Sequence, residues 1–68
     1  MKVLIKAYIF FVRLPVPDYR KAVITTYVSN DWTKEQIEDR IAKIAHERNN
    51  EITIESIRKI NFKEVKSD

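Results

Sequence analysis

Val3-Leu4-Ile5-Lys6-Ala7-Tyr8-Ile9-Phe10-Phe11-Val12-Arg13-Leu14 is apolar on both of the faces that a strand presents. Side chains alternate across a strand, so Val3, Ile5, Ala7, Ile9 and Phe11 form one surface. Leu4, Tyr8, Phe10, Val12 and Leu14 form the other, interrupted only by Lys6. A small domain with a single helix can bury one of these surfaces. The second one therefore points to a partner, either another copy of the chain or a different macromolecule.

Working outward, Pro15-Val16-Pro17-Asp18 ends this strand, because proline fixes φ, lacks an N–H, and biases the preceding residue away from helix. The spacing predicts a hairpin into a second strand from about Tyr19 to Val28. Its even positions, Arg20, Ala22, Ile24, Thr26 and Val28, read as a core face. Its odd positions, Tyr19, Lys21, Val23, Thr25 and Tyr27, mix aromatic, basic and β-branched residues. The chain has no glycine, so turns must use Asn, Asp or Pro. Glycine-rich phosphate loops are excluded for the same reason.

Ser29-Asn30-Asp31 breaks the second strand, and a helix start follows. Thr33 fits the N-cap, with Gln36 three residues on completing a capping box, and Trp32 with Ile37 forms a hydrophobic-staple pair. Ile37, Ile41, Ile44 and Ala45 recur at helical spacing. Glu35, Glu38 and Asp39 lie early and Lys43, His46 and Arg48 late, each group complementing the helix dipole. Asn49-Asn50 is placed to end the helix, since Asn tolerates the left-handed conformation. A third strand is expected from near Glu51. Ile52, Ile54, Ile60 and Phe62 share one parity and Ile57 and Val65 the other, which predicts a bulge, a bend or a short helical turn near Glu55 to Arg58.

The expected fold is α+β: a two-layer sandwich of a three-stranded antiparallel sheet and one helix, in the order β-β-α-β. Residues 1–65 make the domain and Lys66-Ser67-Asp68 a frayed tail. The expected core is Val3, Ile5, Ile9, Phe11, Ile24, Val28, Trp32, Ile37, Ile41, Ile44, Ile52, Ile54, Ile60 and Phe62. The chain has 68 residues, and a domain of that size buries only roughly 60% of its unfolded surface. Small folds of this kind lean on disulfides, metals or association. The chain has no cysteine, so disulfides and thiolate ligation are excluded, and a reducing, cytoplasmic setting is expected. Lys6 and Arg13 interrupt the apolar run, which argues against a signal peptide or a membrane span.

His46 is the single histidine. Asp39, two turns earlier on about the same face, makes with it at most two ligands where metal sites take three or four. Glu35, Glu38 and Asp39 sit where acids stabilise a helix start, and Asp39 with Lys43 is an i,i+4 pair. Ser29, Ser56 and Ser67 have no base nearby in sequence. No catalytic, cofactor-binding or metal-binding residue is therefore assigned, and no small-molecule substrate is expected.

The face left without a helix is the candidate site. It presents Lys2, Leu4, Lys6, Tyr8, Phe10 and Val12 from the first strand and Tyr19, Lys21, Val23 and Tyr27 from the second. Ile57, Lys59, Asn61 and Lys63 are expected from the third, provided the register holds through the bend. On patch composition the first expectation is a protein interface having an apolar centre and a lysine rim, with another protein or as a homodimer formed by sheet-face or edge-strand contact. The alternative is nucleic acid, with rings stacking bases and lysines neutralising phosphates. The net charge of +3 and pI of about 9.3 permit either. Size, lack of cysteine and element order together resemble short proteins of phages and mobile elements. That likeness implies a stoichiometric inhibitor or accessory protein, as anti-CRISPR proteins are, and it assigns no residue a role.

Overall fold

The doubly apolar stretch becomes β1 (Lys2–Arg13). β2 (Asp18–Ser29) and β3 (Ile57–Glu64) pair antiparallel with its two edges, giving the sheet order β2-β1-β3. The structure is a computed structural model that describes residues 1–65. The expected frayed tail at 66–68 lies outside the described residues. Between β2 and β3 runs α1 (Lys34–Arg48), so the architecture is a small α+β fold in the order β-β-α-β. The central position suits β1, because only a middle strand has a neighbour for both of its edges.

The β1–β2 register is regular from Lys2↔Ser29 to Arg13↔Asp18 and closes over the four-residue turn Leu14 to Pro17, in which the Leu14–Pro15 bond is cis. Thr33 caps α1 as its sequence predicts. Its Oγ1 accepts the Gln36 N–H at 3.2 Å, and its own N–H donates to Gln36 Oε1 at 2.8 Å. At the other end Asn49 does not adopt the left-handed conformation expected of it. It is extended, at φ −148° and ψ 107°, and no residue among those described has a positive φ. The helix instead ends through the side chain of Asn49, whose Oδ1 accepts the Glu51 N–H at 3.0 Å.

β3 starts at Ile57, six residues later than the sequence predicts. The segment before it is a turn held by reciprocal bonds. The Thr53 N–H donates to Ser56 Oγ at 2.9 Å, the Ser56 N–H donates to Thr53 O at 3.0 Å, and the Ile57 N–H returns to Thr53 O at 3.1 Å. These side chains give the backbone an alternative to the ladder. The bulge predicted near 55–58 is also present. Phe10 pairs with Lys59 and Phe11 with Ile57, leaving Arg58 as the extra residue. That insertion flips the parity of β3, so Ile57, Ile60 and Phe62 all face the helix.

The core lies between α1 and the odd face of β1. Ile5, Ala7, Ile9 and Phe11 meet Ile24 and Val28 of β2, Ile41 and Ala45 of α1, and Ile52. Val3, Ile37, Ile44, Ile60 and Phe62 pack around them, half-buried. Two expected core residues are not there. Ile54 is 79% exposed, because the Thr53–Ser56 turn points it outward. Trp32 is 37% exposed. It lines a cleft with Gln36, Asp39, Arg40 and Lys43, on the side of the helix away from the apolar stripe. The tight return from Ser29, where the Trp32 N–H donates to Ser29 O at 3.1 Å, delivers it there.

Candidate functional site: the open face of the sheet

The even side chains of β1, the odd ones of β2 and three side chains of β3 share the face opposite α1. The register sets them in rows: Tyr27 and Leu4; Thr25, Lys6 and Lys63; Val23, Tyr8 and Asn61; Lys21, Phe10 and Lys59; Tyr19 and Val12. Successive rows are about 7 Å apart, two strand residues of rise. Of the expected face, Lys2, Leu4, Lys6, Tyr8, Phe10, Tyr19, Lys21, Val23, Tyr27, Lys59, Asn61 and Lys63 come together here. Phe10 is 39% exposed, against 4% for its neighbour Phe11 on the core side.

Two of the expected residues are not available on this face. Ile57 is on the helix side, because the Arg58 bulge reverses its parity. Val12 has the right parity but is buried, at 4% exposure, without joining the core cluster. Its N–H donates to Ser56 O at 3.0 Å, and it lines a small cleft with Arg13, Leu14, Glu51, Thr53 and Ser56. Its cover comes from a segment some forty residues further along the chain, and no local signal in β1 announces it.

The charge on the face is of one sign. Lys2, Lys6, Lys21, Lys59 and Lys63 stand on it, and the three strands place no carboxylate there. The whole chain carries +3, so +3 less the +5 of this face leaves −2 for everything else. Both ion pairs among the described residues lie elsewhere: Arg13 with Glu51 at 2.9 Å and Arg20 with Asp18 at 2.8 Å. Lys6 and Lys63 are direct cross-strand partners, an arrangement of like charges that costs a few tenths to about 1 kcal/mol. Two of the lysines lie over rings. Lys6 Nζ lies 5.7 Å from the Tyr8 ring centre, and Lys21 Nζ lies 6.0 Å from that of Phe10.

The residues weighed for chemistry are not brought into a site. Glu35, Asp39 and His46 are exposed and Glu38 is half-buried, all along α1. His46 has a structural bond: its Nδ1 is 2.9 Å from Ile52 O, and since a carbonyl only accepts, the Nδ1–H donates. It thereby ties the end of α1 to the segment carrying the buried Ile52. Among the described residues no three His, Asp or Glu side chains gather as metal ligands, and no polar or charged side chain is buried. No helix among them is long and apolar enough to cross a membrane. No protein-family model, curated protein or solved structure matches this chain.

Proposed function

We propose that this chain is a non-enzymatic binding module whose binding surface is the open face of its sheet and whose partner is an anionic macromolecule. One observation carries the reading: five lysines and four aromatic rings share a face to which the strands contribute no carboxylate, opposite the face that α1 covers. Of the two expected homodimer modes, the charge argues against the sheet-face one. Two copies so arranged would press ten lysines together with no carboxylate to answer them.

Association of copies has a different route. β2 is an edge strand of 12 residues, and an edge of that length offers a row of unpaired backbone groups to a second chain. Such a dimer leaves the lysine face open. Light scattering across a concentration series tests it, and a mass that stays at one chain up to millimolar concentration removes it.

Retention on immobilised heparin, a generic polyanion, tests the face. Changing Lys2, Lys6 and Lys21 together to Gln is expected to lower the eluting salt concentration sharply. Changing Lys34, Lys43 and Arg48 of α1 to Gln removes the same charge and is expected to change it little. Equal effects from the two triple variants would show that net charge, not this face, does the binding.

A further inference from the structure

We infer that the partner is single-stranded nucleic acid, with two consecutive bases stacked on Tyr8 and Phe10 and the flanking phosphates held by two lysine rows. This rests on the open face being the binding surface. The geometry that points to it is the alternation along β1. Lys6 and Lys63 share one row, Tyr8 occupies the next between Val23 and Asn61, and Phe10 follows with Lys21 and Lys59 on either side. The two cationic rows are four strand residues apart, about 14 Å, and they bracket the Tyr8 ring and include the Phe10 ring.

The occupant must therefore supply negative charge and flat apolar surface in short alternation. A nucleotide chain does this at every unit, because each phosphate is followed by a base with two π-faces. An acidic protein surface satisfies the lysines but lays carboxylates over Tyr8 and Phe10, which gain nothing from them. A duplex offers phosphates but keeps its base faces stacked on one another, out of reach of rings on a sheet face. Asn61, directly opposite Tyr8, places an amide with both donors and an acceptor beside the stacked base, at its edge. The positive cross-strand pair Lys6–Lys63 is relieved by the same phosphate that it binds.

The expected interaction is sequence-tolerant, since stacking uses the face that all bases have. It is also salt-sensitive. Counterion release contributes a slope of about −0.7 per phosphate on a single strand. Four lysines in two rows therefore give a slope of log K against log salt close to −3.

Fluorescence anisotropy tests this with labelled 15-mers: oligo-dT, oligo-rU, the duplex, and a strand of the same length made of abasic residues. Polyglutamate serves as the unlabelled competitor. The protein is expected to bind both single strands, and the abasic strand and the duplex at least tenfold more weakly. Phe10→Leu and Tyr8→Leu keep an apolar side chain and remove the ring. Each should lose about 5- to 150-fold on the single strands, the span for one stacked base, and little on the abasic strand. Circular dichroism verifies that both variants are folded. Equal affinity for oligo-dT and the abasic strand overturns stacking. Competition by polyglutamate at equal charge, unaffected by Phe10→Leu, overturns nucleic acid in favour of an acidic protein and leaves the face as the binding surface. No binding of any of these anions at about 50 mM salt overturns both.

Discussion

Phe10 and Phe11 are adjacent in the central strand, and truncating each one separates the two faces of the sheet. Phe11 is 4% exposed and packs in the core with Ile9, Ile41 and Ile52. Phe11→Ala leaves a cavity between layers that cannot close up, and buried Phe→Ala changes cost about 3–5 kcal/mol. Whole-domain stability at about 0.05–0.15 kcal/mol per residue comes to roughly 3–10 kcal/mol for 68 residues. Phe11→Ala therefore removes much or all of it. Phe10 is 39% exposed, so about three-fifths of a full transfer of roughly 1.5–3 kcal/mol is at stake. The Lys21 ammonium over its ring, at 6.0 Å, adds about 0.5 kcal/mol. No cavity forms on an open face, and Phe10→Ala should cost about 1–2 kcal/mol. In urea, with a slope near 1 kcal/mol/M for so small a domain, the midpoint should fall by about 1–2 M for Phe10→Ala. Phe11→Ala should lower it by about 3 M or leave no folded baseline. Far-UV circular dichroism reads both. If Phe10→Ala is as damaging as Phe11→Ala, the open face is covered in the folded unit, and its assignment as a free binding surface is refuted.

Thr33→Ala breaks the reciprocal bonds with Gln36 and should cost about 1 kcal/mol, read as a lower melting temperature at unchanged helix content. Ile41→Ala, at a site with no exposure, should cost about 2–5 kcal/mol and exceed Trp32→Ala despite the larger side chain lost in the latter. The order of the two urea midpoints checks this. His46→Ala removes the bond to Ile52 O and should cost about 0.5–1.5 kcal/mol while leaving oligonucleotide affinity unchanged. A folded His46→Ala protein that no longer binds would place the site on α1. Arg13 and Glu51 form an exposed pair, 42% and 52% accessible at the side chains, so a double-mutant cycle should give a coupling of about 0.2–1 kcal/mol.

Features set by local pattern are legible in the sequence itself. The capping box at Thr33 and Gln36, the 37-41-44-45 stripe and the double-proline stop depend on residues within a turn or two of each other. So does the two-faced character of Val3 to Leu14, and with it most of the open face: alternation assigns Lys6, Tyr8, Phe10, Lys21 and Tyr27 to one side without knowledge of what covers the other. The Thr53–Ser56 turn carries no such unambiguous local pattern. Ile52 and Ile54 mimic strand alternation, and the side-chain bonds that bend this segment compete with a ladder whose position depends on β1.

The sequence alone determined the element order, the hairpin, the helix and its apolar stripe, because near-neighbour sterics, hydrogen bonding and periodicity set these. Tertiary structure alone decided that β1 is central, that the Arg58 bulge turns Ile57 inward, that Val12 is covered by the strap before β3, and that Trp32 lies outside the core. It also decided which of the expected lysines are neighbours. Lys59 and Lys63 lie more than fifty residues from Lys6 in sequence, and only the β1–β3 register sets them beside Lys6 and Phe10 with no carboxylate between. A cross-strand neighbour is chosen by the summed burial of a whole strand, and that sum is not carried by any short stretch of the chain.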